Sequence, residues 1–318
     1  MKLSSKTATL LVLAAIILIA PVFFPSGYYY RVAAQIFVNG IAVTGIVILT
    51  GYAGQISLGH AGFAGIGAYA CALAPVHLGL HPAFAVVLGG AVSALLAYLV
   101  GRPILQLKGY YLGVATLGLG VLMAMVLNNE RQLTRGPDGI EVPDLGLRGL
   151  LKGWGLDLST GELWYAVCGL SLVAGAWLAL NLYDSPSGRA LRATHGSEIA
   201  ARTVGIDVAQ LKLQAFVISA VYASVAGSLL ALQNRFITPD VAGFMHSIEM
   251  VTMAVLGGVG SVLGAIFGAA ILTLLPQVLT MLAEYEKLVL GLVMMLVMIF
   301  LPAGLLPSVL KRLRGRGE

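Results

Sequence analysis

Two ionisable side chains, His60 and Glu249, lie in or at the edge of long apolar runs, where a charged group is expensive to place. His60 stands in QISLGHAGF, and its imidazole could line or gate a polar path or could be a hydrogen-bonded packing residue. Glu249 begins a later apolar run, where its carboxylate could contribute to a path or cap the amino end of a helix. The sequence leaves both alternatives open for each residue.

The other chemically active residues form no catalytic or metal-binding pattern. The apolar runs contain no set of nucleophile, base and acid, and His77 and His81 fall in a short turn. Cys71 and Cys168 lie singly inside apolar runs, without metal-ligand spacing, as small buried hydrophobic residues do. The G-x-x-x-x-G-K-[ST] motif is absent, so any ATP would be hydrolysed by another polypeptide. We therefore expect neither an enzyme nor a metal or cofactor site in this chain.

The composition indicates a membrane protein with several spans. Of 318 residues, 58% are hydrophobic and only 10% are charged, whereas a soluble domain carries about 25% charged residues. The 40 glycines suit helices that pack closely in a bilayer. The net charge of +5 is spread over short connections between apolar runs, which favours membrane orientation over nucleic-acid binding.

Apolar runs of about 20 residues predict the crossings of an all-α polytopic membrane protein. The first run follows a basic start without a small-residue cleavage site, so we expect it to be retained. The long run from Ile248 to Leu279 contains GGVGSVLG and should form two short or tilted helices that meet at a glycine turn. About ten crossings result: Ala8 to Phe24, Ala33 to Thr50, Ser57 to Val76, Ala83 to Val100, Tyr110 to Leu127, Leu163 to Leu182, Leu213 to Gln233, the pair in Ile248 to Leu279, and Leu288 to Leu301.

The distribution of basic residues orients these crossings. Lys2, Lys6, Arg102 and Lys108 should face the cytoplasm, together with the basic tail 303–318, which places both termini inside. Residues 128–162 then lie outside, and residues 183–212 lie inside. We expect residues 1–318 to form one transmembrane domain.

A polar segment, SPSGRALRATHGSEIAARTVG, interrupts the apolar sequence from Ser185 to Gly205. Its pattern predicts short helices that break near His195 and Gly196. The segment has an apolar stripe of Leu191, Ile199, Val204 and Ile206. It could lie on lipid headgroups or dock against a partner protein, and its high alanine content, with one acid among basic residues, favours a partner.

The glycine-rich run GYAGQISLGHAGFAGIGA could have either of two roles. Its small residues could allow close helix packing. Alternatively, the helix could unwind here so that backbone groups line a transport path, with Gln55 and Ser57 exposed to it. The two roles are compatible.

Several motifs, in order, resemble one family. GYAGQISLGHAGFAGIGAYA, GYYLGVATLG, LTRGPDGI, SPSGRALRA and FVISAVYASVAGSLLA together resemble the LivM-type permeases of branched-chain amino acid ABC importers. The resemblance runs from about Gly51 to Pro302. AARTVG, with Glu198 just upstream, also resembles the loop by which ABC permeases engage their ATPases, although the acid stands one place early.

The resemblance implies a multi-pass permease in the inner, cytoplasmic membrane of a bacterium or archaeon. Its partners would be a second related permease, two cytoplasmic ATPases that bind ATP and Mg²⁺, and a periplasmic binding protein. The implied substrates are leucine, isoleucine and valine, with urea, short amides or aromatic acids as alternatives. An ion-coupled secondary transporter is a more remote alternative, because acids at mid-membrane are missing.

The resemblance also implies roles for particular residues. Residues 183–212 would move with the ATPases as a coupling segment, and Gly205 would permit the turn out of it. Ala200 and Ala201 would seat against the ATPase surface, and Arg189 and Arg192 would pair with ATPase acids or anionic lipids. The implied coupling set is Gly188, Arg189, Leu191, Arg192, Glu198, Ala200, Ala201 and Gly205. The candidates for the translocation path are Gln55, Ser57, His60 and Glu249, and those for docking of the binding protein are Arg131, Arg135, Asp138 and Glu141.

Overall fold

The computed structural model describes residues 5–107, 109–153, 155, 157–278, 288, 291–292, 295–296, 299, 304–305 and 308. Its described α-helices are α1 (Ser5–Ile19), α2 (Gly27–Ile46), α3 (His60–Leu78), α4 (Pro82–Ile104), α5 (Tyr110–Asn129), α6 (Arg131–Thr134), α7 (Leu147–Gly153), α8 (Thr160–Asp184), α9 (Pro186–Gly196), α10 (Glu198–Thr203), α11 (Val208–Asn234), α12 (Phe244–Gly257) and α13 (Val262–Val278). A π-helix, Val47–Tyr52, continues α2. The chain is an all-α polytopic membrane protein.

Within the described residues, six helices are long and apolar enough to cross a membrane: Gly27–Tyr52, His60–Leu78, Pro82–Ile104, Tyr110–Asn129, Thr160–Asp184 and Val208–Asn234. Thr9–Phe23, Phe244–Gly257 and Val262–Gln277 are shorter apolar helices. The two predicted helices between Ile248 and Leu279 are confirmed as α12 and α13, which meet at Gly258. Lys2, Lys108, and most of the predicted last crossing and of the tail 303–318 lie outside the described residues.

The predicted start of the third crossing is wrong. The third crossing was expected to begin at Ser57, but residues 53–59 are not helical and α3 begins at His60. Apolar and small residues continue through this stretch, so hydropathy alone gives no sign of the break.

The polar segments on either side of α8 lie at opposite ends of the helix bundle. Tyr30 and Tyr165 touch near the starts of α2 and α8, and Tyr52 and Tyr183 touch near their ends, with ring centroids 5.6 and 5.1 Å apart, so the two helices are parallel. The Gln233 side chain, at the end of α11, donates to the Arg31 carbonyl at 3.3 Å, so α11 runs in the opposite direction. The end of α8, α9, α10 and the start of α11 therefore share one end.

Helices α2, α3 and α11 form the centre of the bundle, whereas most of α4 and α5 is exposed. Small residues bring α3 and α11 together. A Cβ atom at Gly67 would collide with the Ser224 carbonyl oxygen, and one at Gly227 would collide with that of Ala64. The close-packing role of the glycine-rich run is therefore confirmed at Gly67.

A short antiparallel strand pair, which the sequence did not predict, joins two segments at the far end. Strand β1 (Ile140–Glu141) pairs with β2 (Phe236–Ile237), with Ile140 opposite Ile237. Asp144 and Arg235 form an ion pair at 2.5 Å beside it. The segment between α5 and α8 is thus fastened to the end of α11.

Candidate functional site

Three side-chain caps shape the coupling segment, defined as residues 183–212. Ser185, Ser197 and Asp207 precede α9, α10 and α11, and each side-chain oxygen accepts the backbone N–H three residues later, at 3.0, 3.3 and 3.1 Å. Helix α9 ends at Gly196, so the predicted break near His195 and Gly196 is confirmed. The polar residues of this segment therefore set its helix boundaries.

Three predicted members of the coupling set are buried within their own chain. Leu191 and Ala201 are each 2% exposed. Gly188 is also buried, and a Cβ atom there would collide with the Leu182 carbonyl oxygen. The expectation that Ala201 seats directly on a partner is therefore wrong, because its own chain already covers it. Leu191 belongs to the hydrophobic core and so joins the coupling segment to the bundle.

The outer side of α10 carries an exposed apolar surface, which we name the α10 patch: Ile199, Ala200 and Val204. Ile199 is 79% exposed and Val204 is 74% exposed. Gly205 follows with φ of +81°, a conformation that L side chains rarely adopt, which is consistent with its predicted turn. Large exposed apolar side chains on an otherwise polar segment are typical of a protein interface.

The two arginines of α9 bind the end of α8. Arg189 Nη1 donates to the Asp184 carbonyl at 2.7 Å, and Arg192 Nη1 donates to the Tyr183 carbonyl at 2.8 Å. The Arg192 guanidinium also lies 3.7 Å from the centre of the Tyr183 ring. Cationic side chains at a helix C-terminus satisfy its free carbonyls and complement its dipole, so both arginines join α9 to α8.

Glu198 joins α10 to α11 through an ion pair with Lys212. Arg202, one turn along α10, lies 4.0 Å from the same carboxylate. Arg202, Glu198 and Lys212 also line a groove of about 1110 Å³, together with Tyr98 and Arg102 of α4. The groove and the α10 patch both belong to the end of the bundle that holds the coupling segment.

Residues 53–59, which we name the interrupted segment, re-enter the bundle after the π-helix. Leu58 N donates to Thr116 Oγ1 of α5 at 3.1 Å. Thr116 lies six residues after the start of α5, which places this contact about 9 Å along that helix. Irregular backbone at membrane depth is tolerated only where it is buried in protein or lines a water-filled cavity.

Buried and exposed residues alternate along the interrupted segment, and the two residues that were expected to be exposed are buried. Gln55 and Ser57 are 2% and 4% exposed, so in this arrangement neither is exposed to a path as was expected. Gly54 and Ile56 face outward instead, and Ile56 is 57% exposed. Both polar atoms of the Gln55 amide are buried without a hydrogen-bond partner among the described residues.

His60 is a hydrogen-bonded packing histidine. It is 1% exposed, its Nδ1 lies 2.8 Å from Ser57 Oγ, and its Nε2 lies 2.6 Å from Ser219 Oγ of α11. Edge contacts to Phe63 and Phe216 enclose the ring. The histidine thereby ties the end of the interrupted segment to α11.

His195 contacts the end of the π-helix and the start of the interrupted segment, and no pattern in the sequence predicts these contacts. Its Nδ1 lies 3.0 Å from the Gly51 carbonyl oxygen. A Cβ atom at Gly54 would lie only 2.8 Å from His195 Cδ2. Together with the contact between Tyr52 and Tyr183, this bond connects the coupling segment to the end of the π-helix.

Glu249 does not cap a helix. Helix α12 begins at Phe244, its N-cap is Gly243, and no side chain makes a capping bond there. Glu249 lies in the second turn, half-buried, with its carboxylate 3.3 Å from His246 Nδ1. The cap prediction is wrong because the helix begins one turn earlier than the apolar run.

The four docking candidates lie at the far end of the bundle. Arg131, Arg135, Asp138 and Glu141 are all exposed, and Glu141 belongs to β1. Within the described residues, no three or more His, Cys, Asp or Glu side chains are grouped so that they could hold a metal ion, and Cys71 and Cys168 are buried free thiols.

Comparisons with known proteins agree over most of the chain. The family profile described as branched-chain amino acid transport system / permease component matches residues 28–298. The high-affinity branched-chain amino acid transport system permease protein LivM of Salmonella typhimurium is 34% identical over 327 residues, covering 97% of this chain and 77% of that protein. LivM of Escherichia coli is 34% identical, covering 85% of this chain and 68% of that protein.

A third relative, which has a different name, also matches. LivH of Salmonella typhimurium, again a high-affinity branched-chain amino acid transport system permease protein, is 28% identical, covering 82% of this chain and 89% of that protein. No solved structure matches the chain. With a family match over residues 28–298, the chain belongs to the family of branched-chain amino acid transport system permease components.

Proposed function

We propose that this chain is a permease subunit of an ABC importer that moves branched-chain amino acids across the inner membrane. The observation that carries this proposal is the 34% identity to LivM of Salmonella typhimurium over 97% of the chain. Six helices suited to membrane crossing and the capped polar segment at one end of the bundle support it. A second related permease and two ATPases, which bind ATP and Mg²⁺, would complete the membrane assembly.

In this proposal, the α10 patch is the contact surface for an ATPase. Ile199, Ala200 and Val204 are exposed and apolar, so an ATPase would bury them. Movement of the patch would reach α8 through Arg189 and Arg192, and α11 through the Glu198–Lys212 pair. Both neighbouring crossings would then tilt together.

The outward face of the interrupted segment would line the translocation path. Gly54 and Ile56 are exposed on irregular backbone, and such backbone does not face lipid. That face must therefore meet water or another protein subunit, as it would at a path between two permeases. At the other end, Arg131, Arg135, Asp138 and Glu141 would receive the periplasmic binding protein.

Transport by the complete assembly tests the proposed function and its substrate. Proteoliposomes that hold this chain, its companion permease and the ATPases should accumulate radiolabelled leucine when binding protein is outside and ATP is inside. Excess isoleucine or valine should compete, whereas urea and phenylalanine should not. Uptake without ATP, or competition by urea alone, would contradict the proposal.

Replacement of Ile199 tests the coupling surface. Ile199→Asp should lower ATP-driven uptake about 10-fold or more, because a carboxylate would be buried without a partner at the ATPase contact. The matched control is Leu78→Asp, an apolar residue at the end of α3 that is 64% exposed and belongs to none of the proposed contact surfaces. Equal uptake by Ile199→Asp and the unaltered chain, at equal membrane abundance, would exclude this surface.

A further inference from the structure

The end of the π-helix has a carbonyl group that the chain satisfies from a distant element. Helix termini leave carbonyl groups without intrahelical partners. The Gly51 carbonyl, at the end of Val47–Tyr52, receives its hydrogen bond from His195, 144 residues further along the chain. A carbonyl oxygen only accepts, so His195 Nδ1 carries the proton of this bond.

The same ring lies against the first turn of the interrupted segment. Gly54 has φ of +66°, and a Cβ atom there would press on the His195 ring. Gly54 N donates to the Thr50 carbonyl at 3.2 Å, and Gln55 N donates to that of Leu49 at 3.1 Å. The ring therefore covers the point where the chain leaves the helix and turns inward.

Directly after this point lies a side chain whose burial is unfavourable. The amide of Gln55 is 2% exposed and both of its polar atoms are without partners among the described residues. The free energy of a buried amide without hydrogen bonds falls when the amide meets water or a polar ligand, because the missing hydrogen bonds then form. Other contacts must therefore hold the interrupted segment in the position that buries Gln55. The hydrogen bond from His195, in the coupling segment, is one of these contacts.

We propose that His195 is a positioning residue of the transport cycle, which holds the interrupted segment closed over Gln55 until α9 moves. This inference rests on the proposed function, because the ATPases would supply the movement of α9. When α9 leaves, the bond to Gly51 breaks, and the Gln55 amide becomes accessible from the side of the coupling segment.

Cysteine labelling tests this positioning role without any transport. Cys71 and Cys168 are the two cysteines of this chain, so Cys71→Ala and Cys168→Ala leave Gln55→Cys as its only thiol, and labelling is read on this chain after it is separated from the other subunits. In nucleotide-free, inside-out vesicles, an impermeant methanethiosulfonate should react about 5- to 10-fold faster with Gln55→Cys when His195→Ala is added. This factor is that of one lost hydrogen bond.

Two further variants separate the hydrogen bond from general loosening. His195→Asn keeps a side-chain N–H near the position of Nδ1 and should restore slow labelling, while His77→Ala, an exposed histidine at the end of α3, should leave it slow. Ile56→Cys, at an exposed position, should react at the same rate with His195 and with Ala at position 195, which shows that the reagent reaches the segment equally in both. Equal rates with and without His195, or no rescue by Asn, would overturn the role of His195.

Hydrogen exchange offers a measurement that leaves Gln55 unchanged. In the assembly that carries only His195→Ala, the amides of Gly54 and Gln55 should exchange faster than in the unaltered assembly. Unchanged exchange would contradict the inference. Because neither readout requires substrate or ATP, a failure of leucine uptake would count against the proposed function alone.

Discussion

At the scale of single residues, His60 makes a prediction about stability. His60→Leu should lower the free energy of unfolding by about 1–3 kcal/mol, because the buried Ser57 and Ser219 hydroxyls lose their partner. His77→Leu, at an exposed position, should change it by less than about 0.5 kcal/mol. Thermal unfolding of the two variants in detergent would compare them, and equal midpoints would contradict a structural role for His60.

Residue-level prediction succeeded where a local rule determined the outcome. The break near Gly196 and the left-handed Gly205 follow from turn chemistry that depends on neighbouring residues alone. Gln55 and Ala201 were expected to be accessible but are buried, because burial depends on which helix packs against them. The bond between His195 and Gly51 spans 144 residues, and no periodicity in the sequence records such a contact.

At the scale of elements, Gly67 makes a prediction about helix packing. Gly67→Ala should destabilise the chain by about 1–3 kcal/mol, because the new methyl group would overlap the Ser224 carbonyl of α11. Gly90→Ala is the matched control in α4, where the nearest atom to an added Cβ is Val221 Cγ1 at 3.9 Å. Since alanine favours helices over glycine, Gly90→Ala should be neutral or stabilising by up to about 1 kcal/mol.

The unfolding midpoint of each glycine variant, measured in the same detergent, would check this pair. A loss of stability at Gly90 equal to that at Gly67 would show that helix contact does not distinguish the two positions. The comparison isolates packing because both residues lie inside helices.

Elements were predictable where the length of an apolar run limits the number of helices it can form. The glycine turn between α12 and α13 was expected because a run from Ile248 to Leu279 is too long for one crossing. The start of α3 was missed because the interrupted segment is itself apolar and rich in small residues. The pairing of β1 with β2 was also missed, since strands of two residues carry no pattern.

At the scale of the whole molecule, the two ends of the bundle should face opposite sides of the membrane. In a cysteine-free background, Ala200→Cys should react with an impermeant thiol reagent from the cytoplasmic side, and Glu141→Cys should react only from the other side. Both positions are exposed in the isolated chain, so in membranes without the ATPases and the binding protein access depends on the side alone. Labelling of both from one side would contradict the orientation that the basic residues predict.

The arrangement of the whole bundle was the least predictable part. Basic residues in short connections suggested which segments share a side, and the parallel course of α2 and α8 is consistent with that assignment. The same residues contain no information on which helices occupy the centre. Close approach at Gly67 and Gly227 places α11 beside α3, and small residues occur on nearly every helix of this chain.

The π-helix at the end of α2 makes chain length as important as side-chain identity. One residue advances an α-helix by about 100°. Deletion of a single residue within Val47–Tyr52 would therefore turn the end of the helix by roughly that angle, and Tyr52 would no longer face Tyr183. Along this one turn, an alignment gap between relatives would therefore mark a different contact between the end of the π-helix and the end of α8, even where every neighbouring amino acid is the same.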